Sequence, residues 1–314
     1  MSNKKVQVAN FNVVFLERKE EAPLLKYFDN IVVPAFCSGI KKKVDDTLYL
    51  LTDIEILEDQ NRGYVLAGKI VKKTTIEIKS DLDDNEVLIE KDEKYSAAPY
   101  SAFVIYLKNH RMLFVQNQKG SPTIKNFSAT VKYILSEYIR EYNNKQDAEE
   151  SYLPFPYINI VGIPLRSNIE EALKKVEKIN KMTLRFYPLN GDQEFGEMFG
   201  SLMTDMRRGV NSDRGEIILR SPKSVPGVID LLEKSAGTVE PIIEVTYPDK
   251  TRGKIAQDVI SERMELGFSG ENIQEMNEII EQGNKIENLS YVSEGNQQIY
   301  DTHKSKIVKF ISRH

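Results

Sequence analysis

Two long runs of β-branched and aromatic residues, TLYLLTDIEIL and GYVLAGKIVKKTTIEI, stand either side of EDQNRG and constrain the chain before anything else does. Side chains of that kind favour a pleated, half-buried surface. Asn61-Arg62-Gly63 between them supplies residues that tolerate positive φ, so the pair reads as an antiparallel hairpin. A second hairpin is predicted from residues 102–107 and 112–116, turning through Lys108-Asn109-His110-Arg111. Ahead of both, VQVANFNVVFL alternates as a first strand, with Val13 and Phe15 on one face.

Helical spacing interleaves with these strands. Residues 20–39 read as one helix, opened by acidic residues and Pro23 and kinked or ended at Pro34. The run after Ser121-Pro122 reads as another, a cap then a proline, with Phe127, Val131, Ile134, Leu135 and Ile139 as its buried stripe. Between the hairpins, SDLDDNEVLIEKDEK reads as a solvated loop flanking a short edge strand; it lacks the oxygen-ligand spacing of a calcium loop.

Residues 143–156 are charged, then proline-bearing, and aperiodic, which makes them the candidate boundary between residues 1–150 and 151–314. Past it, YINIVGIPL is apolar on both faces and is expected inside a sheet. Ser167 and Glu170 have the spacing of a capping box. KMTLRFYPL, GEIILRS and VEPIIEVTYPD are expected strands. Residues 192–209, 224–237, 252–267 and 269–283 are expected helices, and residues 288–311 a closing strand pair. The fold class expected is α+β: two apposed strand–helix subdomains, with ferredoxin-like elements and hairpin additions.

Charge is balanced along the 314 residues, with 22 basic against 23 acidic groups in residues 1–150 and 21 against 24 in the rest. Neither half is a basic arm, so a polyanion site has to be a local patch. The one cysteine, Cys37, excludes an intrachain disulfide, fits a reducing compartment and is expected as a small buried hydrophobe. No window has the eighteen or so apolar residues of a membrane span, and the short N-terminal apolar stretch is a strand and not a leader; a cytoplasmic, membrane-free protein is expected.

Common catalytic signatures are missing: no GxxxxGK[ST], no strand-borne GxGxxG, no HExxH, no CxxC and no GxSxG. With three histidines in all, no metal and no cofactor is expected, and no residue is assigned a catalytic role. Two places can hold a phosphate. From Asp205 to Lys223 there are five basic residues against three acidic, and the arginines Arg207, Arg208, Arg214 and Arg220 can grip phosphate bidentately. Arg207 and Arg208 also have a structural excuse at a helix end that Gly209 terminates. The second place is the His110-Arg111 tip with Lys119 beside the next helix start, where free N–H groups and the helix dipole favour an anion.

Pro99, Ser101, the Asn109-His110-Arg111 turn with its following strand, Ser121-Pro122 and Phe127 resemble a segment of a poorly characterised bacterial family of about this length, found among phage-defence and mobile-element genes. The resemblance covers roughly a tenth of the chain. It implies a defence component that works with a partner protein, and it carries over no catalytic residue. Two functions follow as expectations. One is recognition of DNA, RNA or another phosphate-bearing ligand alongside a partner protein, with homo-oligomers allowed. The other is a protein–protein adaptor or inhibitor, without nucleic-acid contact, that uses the acidic 81–93 segment.

Overall fold

The computed structural model describes residues 2–17, 20–148, 151–190, 200–210, 212–269 and 276–311. The fold is α+β, 31% helix and 43% strand, on two antiparallel sheets. In chain order the first sheet takes β1 (Ser2–Glu17), β2 (Glu20–Pro23), β3 (Lys42–Val44), β4 (Thr47–Asp59), β5 (Gly63–Leu82), β6 (Leu88–Ala97), β7 (Tyr100–Tyr106), β8 (Arg111–Gln116) and β9 (Pro156–Gly162). The second sheet follows with β10 (Lys178–Phe186), β11 (Gly215–Arg220), β12 (Val239–Thr246) and β13 (Arg252–Ala256), before β14 (Arg263–Phe268) returns to the first. The helices are α1 (Val33–Phe36), α2 (Ile124–Asn143), α3 (Arg166–Lys174), α4 (Gly200–Gly209), α5 (Val225–Lys234), α6 (Gln257–Ile260), α7 (Met276–Gly283) and α8 (Glu294–Val308).

The first strand is the hub. Along one edge β1 pairs with β14 and then β9; along the other it pairs with β8 and then β2. Its period of two divides the core. Ala9, Phe11, Val13 and Phe15 join a cluster with Phe103, Phe114 and the α2 stripe of Phe127, Val131 and Ile134. Val6 and Val8 face the other way, onto a cluster with Val104, Leu113, Phe268 and the α7 residues Met276, Ile279 and Ile280. The second sheet, ordered β11-β10-β12-β13, has its own core, where Met182, Leu184, Ile243 and Val245 meet Ile169, Leu173, Val228 and Leu232 of α3 and α5.

Both hairpins form, β4–β5 and β7–β8. Other expectations are corrected. The sheets do not show ferredoxin-like subdomains: β3, β4, β5, β7 and β8 follow one another as antiparallel neighbours, and the second sheet, ordered β11-β10-β12-β13, is antiparallel at every pairing although α5 crosses from β11 to β12. Residues 20–39 are not one helix. Glu20–Pro23 pairs with β1, and the chain then winds through a 3-10 turn, a π turn and the four-residue α1. Cys37, just past α1, is exposed and not buried. Among the described residues strand β9 pairs with β1 alone, so it lies at an edge and not inside the sheet. The α2 cap is Thr123, reciprocated by Asn126, while the Ser121 hydroxyl accepts from the Gln118 amide. Helix α3 begins at Arg166, with no side-chain cap, so the Ser167–Glu170 box does not form.

Residues 252–267 fall instead in β13, α6 and β14, with β13 captured by the edge of β12 and β14 by the edge of β1. The expected closing strand pair is α8, capped by Ser293, with Tyr300 and Ile307 buried against the first sheet; Ile311 makes one parallel bridge to Ile56. Expectations for residues 191–199 and 270–275 lie outside the described residues. Among those described, no helix is long and apolar enough to cross a membrane.

Candidate interaction surface

The seven basic residues singled out above occupy five separate places. Arg207 and Arg208 end α4, and both reach Glu21 of β2. Arg207 donates to Glu21 Oε1 in a pair whose side chains are 8% and 7% exposed, and Arg208 Nη2 lies 2.8 Å from Glu21 Oε2. Arg207 Nη1 also donates to the Ser212 carbonyl at 3.1 Å. One carboxylate on the first sheet thus draws together two cations from a helix end. Arg214 and Arg220 are exposed at opposite ends of β11, about 20 Å apart at a strand's rise per residue, and among the described residues neither has an ion pair.

His110 and Arg111 are buried under other segments. His110 turns the chain at φ 56°, Asn109 Nδ2 donates to the carbonyls of Leu289 and Tyr291 at 2.8 Å each, and Arg111 Nη1 donates to the Ala236 carbonyl at 2.6 Å. The turn is polar because it fastens the C-terminal segment to the sheet. Lys119 is exposed on the loop before α2, away from that buried turn.

A different feature reaches furthest into solvent. Strand β5 pairs with β4 only as far as Lys73, opposite Leu48. Its residues 74–82 run on with β6 as a two-stranded ribbon, about 30 Å long at the rise of a strand, from Thr74 opposite Ala97 to Leu82 opposite Leu88. The 80–94 segment is therefore a strand–turn–strand arm and not a loop flanking a short strand. Asp83 closes its tip: the Oδ1 atom accepts from the amides of Asn85 and Val87 at 2.9 Å each, and Glu86 sits at φ 61°.

Apolar residues on this arm face water. Leu88 is 72% exposed, Leu82 58%, Val87 57%, Ile76 52% and Tyr95 52%. Isolated two-stranded hairpins are marginal in water, and contiguous exposed apolar surface marks a place of contact. The arm is also acidic. Residues 74–97 carry eight carboxylates and three lysines, a net of 3 − 8 = −5. Those lysines are engaged within the arm: Lys94 with Glu77 at 2.7 Å, Lys79 with Glu77 at 3.4 Å, and Lys91 with Asp81 at 2.8 Å. Hydrogen bonds from Lys94 and Lys91 hold the Glu77 and Asp81 carboxyls below their usual range, and the same bonds raise both lysines. Asp83, Asp84, Glu86, Glu90 and Asp92 have no ion pair among the described residues.

The acidity of this arm and its first strand as far as Ile78 were legible in the sequence, but a short edge strand was expected where the two strands pair out to Leu82 and Leu88. The available signal was alternation in TTIEI and VLIEKDEKY around the turn-forming Asp83-Asp84-Asn85. Among the described residues no group of three or more His, Cys, Asp or Glu side chains is placed to hold a metal ion. Compared with protein-family models and with curated proteins, the chain matches none.

Proposed function

We propose that the chain acts by recognition, as an adaptor or inhibitor that holds another protein through the β5–β6 ribbon. One observation carries this reading: an acidic two-stranded arm runs on past the last pairing of β5 with β4, with its apolar residues in water. Surface of that kind is paired by a partner that supplies apolar contact and positive charge. The defence setting implied by the resemblance, in which the protein works beside a second component, agrees with such a role. The test is a photo-crosslinking amino acid at Leu88, compared with one at the exposed Lys125 of α2, in cells that produce the protein. An adduct with a second, basic protein from Leu88 alone supports the reading. Equal labelling from both positions, or none from Leu88, rejects it.

A second reading is a nucleic-acid or other phosphate-bearing ligand, and it draws on Arg214 and Arg220, both exposed and without an ion pair among the described residues. Reversing either arginine to Glu should lower the slope of log K against log salt by about one unit for each phosphate it neutralises. An unchanged slope in the Arg214→Glu, Arg220→Glu double variant removes them from any such site.

A further inference from the structure

The ribbon has two features that side-chain docking alone does not use. The first is an unpaired backbone edge. Strand β6 pairs with β5 on one side, and no described strand lies on the other from Leu88 to Ala97. Beyond Pro99 the chain continues as β7, whose same edge is filled by β8 until Ser101 meets Gln116; the Asn117 amide makes one more bond, to the Tyr100 carbonyl at 3.3 Å, before the chain turns off toward α2. The open edge of β6 therefore prolongs the slot that β8 occupies. A strand entering there would extend an existing line of the sheet. At the start of the opposite edge, along β5, stands the β3–β4 turn, where Thr47 Oγ1 lies 3.2 Å from Thr74 Oγ1.

The second feature is how side chains alternate along that edge. Leu88 and Ile89 lead into Glu90, Asp92 and Glu93, and Tyr95 follows. An edge strand needs charge to keep copies of the same chain from pairing with one another, and a net of −5 does this. That protective purpose accounts for the acids. It does not call for four apolar side chains at 82 and 87–89 in water beside them. A second copy is a poor occupant, because it would set five uncompensated negative charges against five more.

Resting on the docking reading above, we infer that the partner adds an extended segment as a strand to the free edge of β6, and that this segment alternates lysine or arginine with apolar residues. Main-chain hydrogen bonds to β6 would supply the common part of the affinity. Cations beside Glu90 and Asp92, and apolar side chains beside Ile89 and Tyr95, would supply the choice of partner.

The experiment uses the full chain and a defined probe: an acetylated octapeptide alternating lysine and valine, beside a copy methylated at every backbone nitrogen. The copy keeps the charges and side chains but cannot donate to an edge. Both are titrated into the native chain and into a Glu90→Gln, Asp92→Asn variant, whose substitutions are both exposed on the arm. Strand addition predicts that the unmethylated peptide binds at least tenfold more tightly than its copy, and that the neutralised arm binds it more weakly than the native one. Equal binding of both peptides, abolished on the neutralised arm, overturns strand addition and leaves docking by side chains standing. No binding of either peptide overturns strand addition and the basic partner together.

Discussion

Glu21 shows how much one side chain can hold at the residue scale. It is buried against Arg207 and shared with Arg208, so it fastens the end of α4 to β2. Removing one partner of a buried pair leaves the other charge without compensation, which costs about 3–5 kcal/mol. Glu21→Ala should therefore lower unfolding stability by about that much in a denaturant titration, whereas Arg220→Ala should change it by about 0.5 kcal/mol or less. A mild Glu21 variant would refute the pairing. Gly63 is the other sensitive position. It ends the β4–β5 turn at φ 81°, and a Cβ there would stand 2.6 Å from the Tyr300 hydroxyl, which accepts from the Tyr64 amide at 3.1 Å. Gly63→Ala should lower the melting temperature; an unchanged melting curve would contradict that geometry. The Gly63 turn was legible in the sequence because turn chemistry is local. The Glu21–Arg207 pair was not, since its partners stand 186 residues apart and nothing in DMRRG names an acid on β2.

Elements divide by how far their pattern depends on neighbours. The hairpins and the α2 stripe could be read directly, because turn residues and period carry them. Residues 20–39 could not, since four residues were captured by the free edge of β1 before a helix could start. Helix α8 was not legible because its few apolar residues come as two adjacent pairs, Ile299-Tyr300 and Ile307-Val308, too sparse to mark a helical stripe, and only Tyr300 and Ile307 among its large side chains are fully buried. Asp29 holds this helix. Burial pushes its carboxyl up, but Lys309 at 2.7 Å and Lys306 at 3.3 Å outweigh that and hold it below the usual carboxylate range. Its pKa is lower folded than unfolded, so the stability it contributes is present above the unfolded value, about 4, and is lost as pH falls through the folded one. The melting temperature of the native chain should thus exceed that of Asp29→Asn at pH 7, and the gap should narrow progressively as the pH falls below about 4. A gap that does not narrow with falling pH would rule out the ion pairs as its source. The arm, by contrast, contributes little to the fold. Replacing residues 79–92 by Asn-Gly, which joins Ile78 to its partner Glu93, should leave the melting temperature within a few degrees. A collapse in stability would mean the arm is part of the core.

At the scale of the whole molecule, the first sheet gathers strands from both ends of the chain. β1 and β14 pair from Ser2–Phe268 to Gln7–Arg263, and the Asn109 side chain fastens residues 289 and 291 beneath the second hairpin. Sequence reading recovered an α+β molecule with its strands largely in place. It could not recover this closure, because pairings over more than 250 residues leave no local signal. With the first sheet tied together in this way, the ribbon is left as the part that projects, and its free edge is where recognition is proposed. Hydrogen exchange across the full chain, with and without the lysine–valine peptide, tests that claim most directly. Free, the amides of β6 that face away from β5 should exchange quickly, and bound peptide should slow them within residues 88–97 while the rest of the chain stays unchanged. Protection that appears instead around residues 214–223, or none along β6 at saturating peptide, would contradict it.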